Sequence, residues 1–160
     1  MCFVLYMASN KSRREIEWDS SAPAFHVTSA DAEDAHNTRP HFSKPHIYYL
    51  GSSSQCGCDF RRDLDWVFEQ RDNTEKEKIS DNQTRLHTYL RECLTDEDSL
   101  ELFGCWSGDE SKMLQSKRII HVDDLLNSDF FFDDSKTELI TITKEGEHVP
   151  PGGRGEAPRP

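Results

Sequence analysis

An α+β fold is predicted for this chain: a mainly antiparallel or mixed sheet of five to six strands, with one main helix at about residues 80–94 packed on one face. Three observations lead there. Several short runs are apolar throughout or alternate polar with apolar, over lengths suited to strands. One segment, 80–94, places apolar residues at helical spacing. The strand-like runs are not separated by regular helices, which argues against a repeating βαβ architecture and its parallel sheet.

Taken in order, Cys2–Ala8 is a continuous apolar run that suits a strand buried on both faces. Ser9–Ser12 follows as a turn or loop. Ala24–Thr28 reads as a short strand entered at Pro23. Ser29 is placed to cap a short helix through Asp31, Ala32, Glu33 and Asp34, whose acids suit the positive end of a helix dipole. Pro40 and Pro45 frame an extended stretch, and His46–Leu50 is the second strong strand, ended by Gly51 and three serines. Gln55–Phe60 is a compact loop in which Gly57 supplies backbone freedom. Leu64, Val67 and Phe68 have the spacing of a short helix.

Arg71–Lys78 is polar and charged throughout and reads as a solvated linker or surface loop. Ser80 and Gln83 fit a capping box, followed by Leu86, Tyr89, Leu90, Cys93 and Leu94 on one helical face. Leu100–Trp106 and Arg118–Val122 read as strands, and Asp123–Leu126 as a single helical turn. Phe130–Phe132 reads as an irregular segment plugging the end of the core, or else as a partner-binding patch with at least one ring partly exposed. Glu138–Thr143 alternates as a half-exposed strand does. Residues 1–144 are expected to form one globular domain, and 145–160 a flexible Gly/Pro-rich tail that cannot bury enough surface to offset its ordering entropy.

The 160 residues carry 30 Asp and Glu against 19 Lys and Arg, a formal charge of −11. That balance argues against nonspecific binding to nucleic acid or an anionic membrane, both of which need a basic surface. Most of the excess lies in 96–136, which suits a protein partner with a basic surface. A homo-oligomer joined at an exposed strand edge is a further reading. The apolar run at Cys2–Ala8 is far shorter than the roughly 20 residues of a membrane span and lacks a basic region before it. A soluble, cytoplasmic protein is expected. The odd count of 5 cysteines argues against a disulfide framework.

The sharpest chemical feature is Cys56-Gly57-Cys58. Two thiols one residue apart can face one soft ion, zinc among them, and they pair poorly with each other. Cys105, Cys2, His46 and His41 are the candidates to complete a tetrahedral shell, with Cys105 and His46 favoured, provided the strands carrying Cys2, His46 and Cys105 are neighbours. The leading expectation is thus a small binding or regulatory module with a thiol or metal site at this loop.

The alternative is a thiol-dependent enzyme. Cys56 or Cys58 would act with His46 or His41, oriented by Asp59, or Cys2 would act once Met1 is removed. The opening Met-Cys followed by a buried strand resembles N-terminal-nucleophile hydrolases and amidotransferases, which implies a nucleophilic Cys2. The resemblance covers the first ten or so residues. Residue 3 is Phe where that group carries a small residue, the chain is short for its four-layer fold, and no oxyanion-hole motif follows. Phosphate-loop, dinucleotide-binding, zinc-protease and serine-hydrolase motifs do not occur in the chain.

Overall fold

A strand that is apolar on both sides needs cover on both sides, and β1 (Phe3–Ser9) has it: all seven of its residues are buried. In the computed structural model, which describes residues 1–61 and 65–144, β1 lies inside a six-stranded sheet. The other strands are β2 (His26–Ser29), β3 (His46–Gly51), β4 (Ser99–Trp106), β5 (Ser116–His121) and β6 (Glu138–Thr143). Their order is β2-β3-β1-β4-β6-β5. Every pair is antiparallel except β5 with β6, which is parallel. The α+β expectation, with a mixed sheet and one main helix, holds. The expected tail at 145–160 and Leu64 lie outside the described residues.

Alternation along β1 divides the core. Phe3, Leu5 and Met7 join the larger apolar cluster, under the main helix; Val4, Tyr6 and Ala8 join a smaller one on the opposite face. The main helix, α3, spans Asn73–Cys93 and lays Leu86, Tyr89, Leu90 and Cys93 on the larger cluster. Leu86 and Leu90 are almost wholly buried, and each such side chain stabilises the fold by roughly 1.5–3 kcal/mol. Val122 and Leu125, from the 3₁₀ turn Val122–Leu126, pack into the same cluster. That turn is the helical turn expected at Asp123–Leu126, and His121 caps it. The opposite face is covered by α1 (Ala32–Thr38) and the turn after it, through Phe42 and through His41, whose ring stacks 4.3 Å from that of Phe103. The Tyr6 hydroxyl bonds the Asp34 carboxylate of α1.

Several local expectations change. The segment 73–78 is not a linker but the opening turns of α3: the helix begins at Asp72, whose side chain accepts from the Glu75 N–H at 2.9 Å, and not at Ser80. Its polar residues belong to a helix that becomes apolar on one face only from Ile79 onward. α1 is capped by Asp31, which accepts from Asp34 N–H, rather than by Ser29, whose hydroxyl donates to Glu15. A short helix, α2 (Asp65–Glu69), lies where Val67 and Phe68 suggested one. β6 is more buried than its alternation suggests, because β4 and β5 flank it; Glu138 is 5% exposed and pairs with Arg118. Phe130 and Phe132 enter the core, while Phe131 is exposed and its carbonyl accepts from Arg118.

Many acids of 96–136 are engaged by cations. Asp96 pairs with Arg13 and Lys11, Glu97 with Arg13 and Lys44, Asp109 with Lys112, Asp133 with Lys136 and Asp134 with Arg61. The excess of acid along the sequence is therefore partly balanced in space. No helix among the described residues is long and apolar enough to cross a membrane.

Candidate metal centre

β3 runs beside β1 as far as the pair Leu5–Leu50, and the chain then leaves the sheet at Gly51. Residues 52–57 make a tight excursion. Gln55 N–H donates to the Ser52 carbonyl at 2.9 Å, and Ser52 N–H to the Cys56 carbonyl at 2.9 Å. Gln55, not Gly57, takes the left-handed conformation, with φ of 70°. Gly57 is required for another reason. Its N–H donates to the Phe3 carbonyl at 2.8 Å, and a Cβ there would lie 3.1 Å from both the Phe3 ring and that carbonyl oxygen. The missing side chain lets the loop close against the first residue of β1.

The loop is held from two other directions. Phe60, at the end of the 3₁₀ turn Cys58–Phe60, is fully buried against Phe25. On the outer side α3 grips the loop. Asn82 accepts from Ser53 N–H at 2.9 Å and donates to the Ser53 hydroxyl at 3.0 Å. Gln83 donates to the Phe60 carbonyl at 3.2 Å, and Lys78 pairs with Asp59 at 3.1 Å.

Closure of the loop brings three thiols together. The sulfurs of Cys2, Cys56 and Cys58 all lie within 4.8 Å of one another. Zinc bound tetrahedrally at about 2.3 Å from each sulfur places its ligands about 3.8 Å apart, a spacing that falls inside the 4.8 Å limit on these sulfurs. Two backbone donors point at the sulfurs: Phe3 N–H to Cys58 Sγ at 3.3 Å and Cys58 N–H to Cys56 Sγ at 3.4 Å. Donors of this kind orient metal thiolates and offset their charge. Burial, then the bond with Cys58 and the charge of the neighbouring sulfurs, push the Cys56 thiol up to about 12. A nucleophilic thiol needs the opposite shift. Soft thiolate donors suit zinc or monovalent copper.

The residues expected to meet here do so in part. Cys56 and Cys58 converge, and Cys2 joins them. The strands carrying Cys2, His46 and Cys105 are neighbours, as a shared site requires. Register and packing then separate two of the expected ligands. His46 is exposed and pairs with Ser9, at the far end of β1 from Cys2. Cys105 is buried with Val4 and Tyr6, and it is not one of the three grouped thiols. His41 stacks on Phe103 with its Nε2 against the Glu110 carbonyl at 2.7 Å. Asp59 accepts from the Ser52 and Ser54 hydroxyls and pairs with Lys78, so its carboxylate is committed within the loop.

Sequence reasoning named Cys2 but favoured Cys105 and His46. The signal that could have placed Cys2 first is Gly57, a glycine between two cysteines in the loop after β3, which allows backbone to approach backbone. No family model, curated protein or solved structure matches this chain, and its function is argued from its own geometry.

Proposed function

We propose that this protein is a thiol-based metal-binding module in which Cys2, Cys56 and Cys58 hold one thiophilic ion, zinc in the first instance. The observation that carries the reading is the convergence of three sulfurs from two segments far apart in sequence, with two backbone N–H groups directed at them. The chain acts as a binding or regulatory protein of the cytoplasm, folded as one globular domain over residues 1–144, and its acidity disfavours nucleic acid as a partner. Three sulfurs leave the fourth position of a tetrahedral zinc to a ligand from outside this group.

Elemental analysis of protein purified without added metal tests the reading. The expected result is one thiophilic ion per chain, lost in Cys56→Ser and in Cys2→Ser, and retained in His46→Ala. Protein that carries no such ion, and takes up none from equimolar zinc under reducing conditions, overturns it.

A further inference from the structure

We infer that the same cluster has a second, oxidised state: Cys2 and Cys58 form a reversible disulfide that excludes the metal. This rests on the metal-binding reading only for its second half, the exclusion of the ion.

The geometry favours one pairing. The sulfurs of Cys2, Cys56 and Cys58 are within 4.8 Å of one another and are free thiols. Cys56 and Cys58 are separated by a single residue, and a disulfide between them is strained. Their local contacts are instead hydrogen bonds, one from the Cys58 N–H to Cys56 Sγ and one between the two thiols. Cys58 Sγ sits 3.3 Å from the Phe3 nitrogen, on the peptide that joins Cys2 to Phe3. Cys2 precedes β1, and its side chain is exposed, so it can turn toward that sulfur without disturbing the core. The Gly57 N–H to Phe3 carbonyl bond and the Asn82 contacts hold the loop in place whichever state the sulfurs adopt.

Access divides the five cysteines. Cys2 is exposed, and Cys56 and Cys58 are half-buried. Cys93 and Cys105 are buried in the two separate apolar clusters, out of reach of an oxidant in solution.

With hydrogen peroxide as the oxidant, two thiols and one peroxide give one disulfide and two waters. One S–S bond forms, the O–O bond breaks, each sulfur gives up one electron, and both thiol protons leave in the waters. From the metal-bound form the two thiolates release the ion as they join, and solvent supplies the two protons. A sulfur shared in a disulfide is no longer a thiolate ligand, so the ion is left with Cys56 alone and departs.

The experiment uses the full chain, metal-free and zinc-loaded, treated with one equivalent of hydrogen peroxide. In the metal-free protein the intact mass falls by two hydrogens, peptide mapping joins Cys2 to Cys58, and Cys93 and Cys105 remain alkylatable once the chain is unfolded. Cys2→Ser and Cys58→Ser each abolish that mass loss. In the loaded protein zinc appears in a chromophoric chelator in step with the mass loss, and a dithiol reductant restores binding.

A Cys56–Cys58 linkage, gain of oxygen in place of loss of hydrogen, or a disulfide formed with zinc retained overturns the inference. If no zinc loads at all, the proposed metal function falls; the mass map of the metal-free chain still decides the disulfide.

Discussion

Glu97 is 7% exposed and is the hub that ties the end of β1 to the loop before β4. Burial alone would raise its carboxyl. Ser9 Oγ at 2.6 Å, Asn10 N–H at 2.7 Å, Lys44 Nζ at 2.9 Å and Arg13 at 2.6 Å all donate to it, and together they hold it down at about 2. Against an ordinary value of 4.5, that is worth about 3 kcal/mol of folding free energy at neutral pH, at about 1.4 kcal/mol for each pH unit. The folded-state value is depressed, so this stability is fully present above pH 4.5 and is lost as pH falls toward about 2. Glu97→Gln leaves Lys44 buried without its counter-charge and Arg13 with Asp96 alone, a loss of about 3–5 kcal/mol. Urea unfolding of wild type and Glu97→Gln, followed by fluorescence at pH 7, 4.5, 3 and 2, measures both effects. The gap between the two proteins is expected to be widest at pH 7 and 4.5 and to narrow steadily toward pH 2. A gap that stays constant over that range, or a variant as stable as wild type at pH 7, refutes the assignment of Glu97 as the charged hub.

Three further outcomes follow from the geometry. Asp72→Ala removes the cap of α3 and is expected to cost about 1 kcal/mol, with faster amide exchange confined to residues 73–76; unchanged exchange there would return the helix start to Ser80. Gly51→Ala puts a Cβ 1.8 Å from the His26 ring, so it is expected to destabilise strongly in the wild-type background and far less alongside His26→Ala. Equal costs in the two backgrounds would place the strain elsewhere. Gly57→Ala pushes the loop off Phe3 and is expected to weaken zinc binding at least tenfold while shifting the melting temperature by a few degrees; unchanged zinc affinity would show that loop closure does not set the site.

What the sequence determined by itself are the features carried by local periodicity. Unbroken apolar runs such as Cys2–Ala8 and alternating ones such as Glu138–Thr143 mark strands, and Leu86, Leu90 and Cys93 mark the packed half of α3. These patterns are short-range, so residues within one segment report them. The first two turns of α3 were illegible for the same reason. Lys76, Lys78 and their neighbours bury little and show no apolar stripe, yet the helix continues through them because Asp72 caps it and Lys78, Asn82 and Gln83 hold the cysteine loop. The cysteine pair was legible as chemistry. Its third member was not, because the choice among Cys2, Cys105, His41 and His46 is made by strand order and register. Antiparallel pairing sends His46 to the far end of β1, packing encloses Cys105 beside Val4 and Tyr6, and a glycine at 57 lets the loop reach Phe3. Which donors share a site depends on contacts between residues far apart in the chain. Tertiary structure alone decided that Cys2, rather than the other candidates, stands beside Cys56 and Cys58.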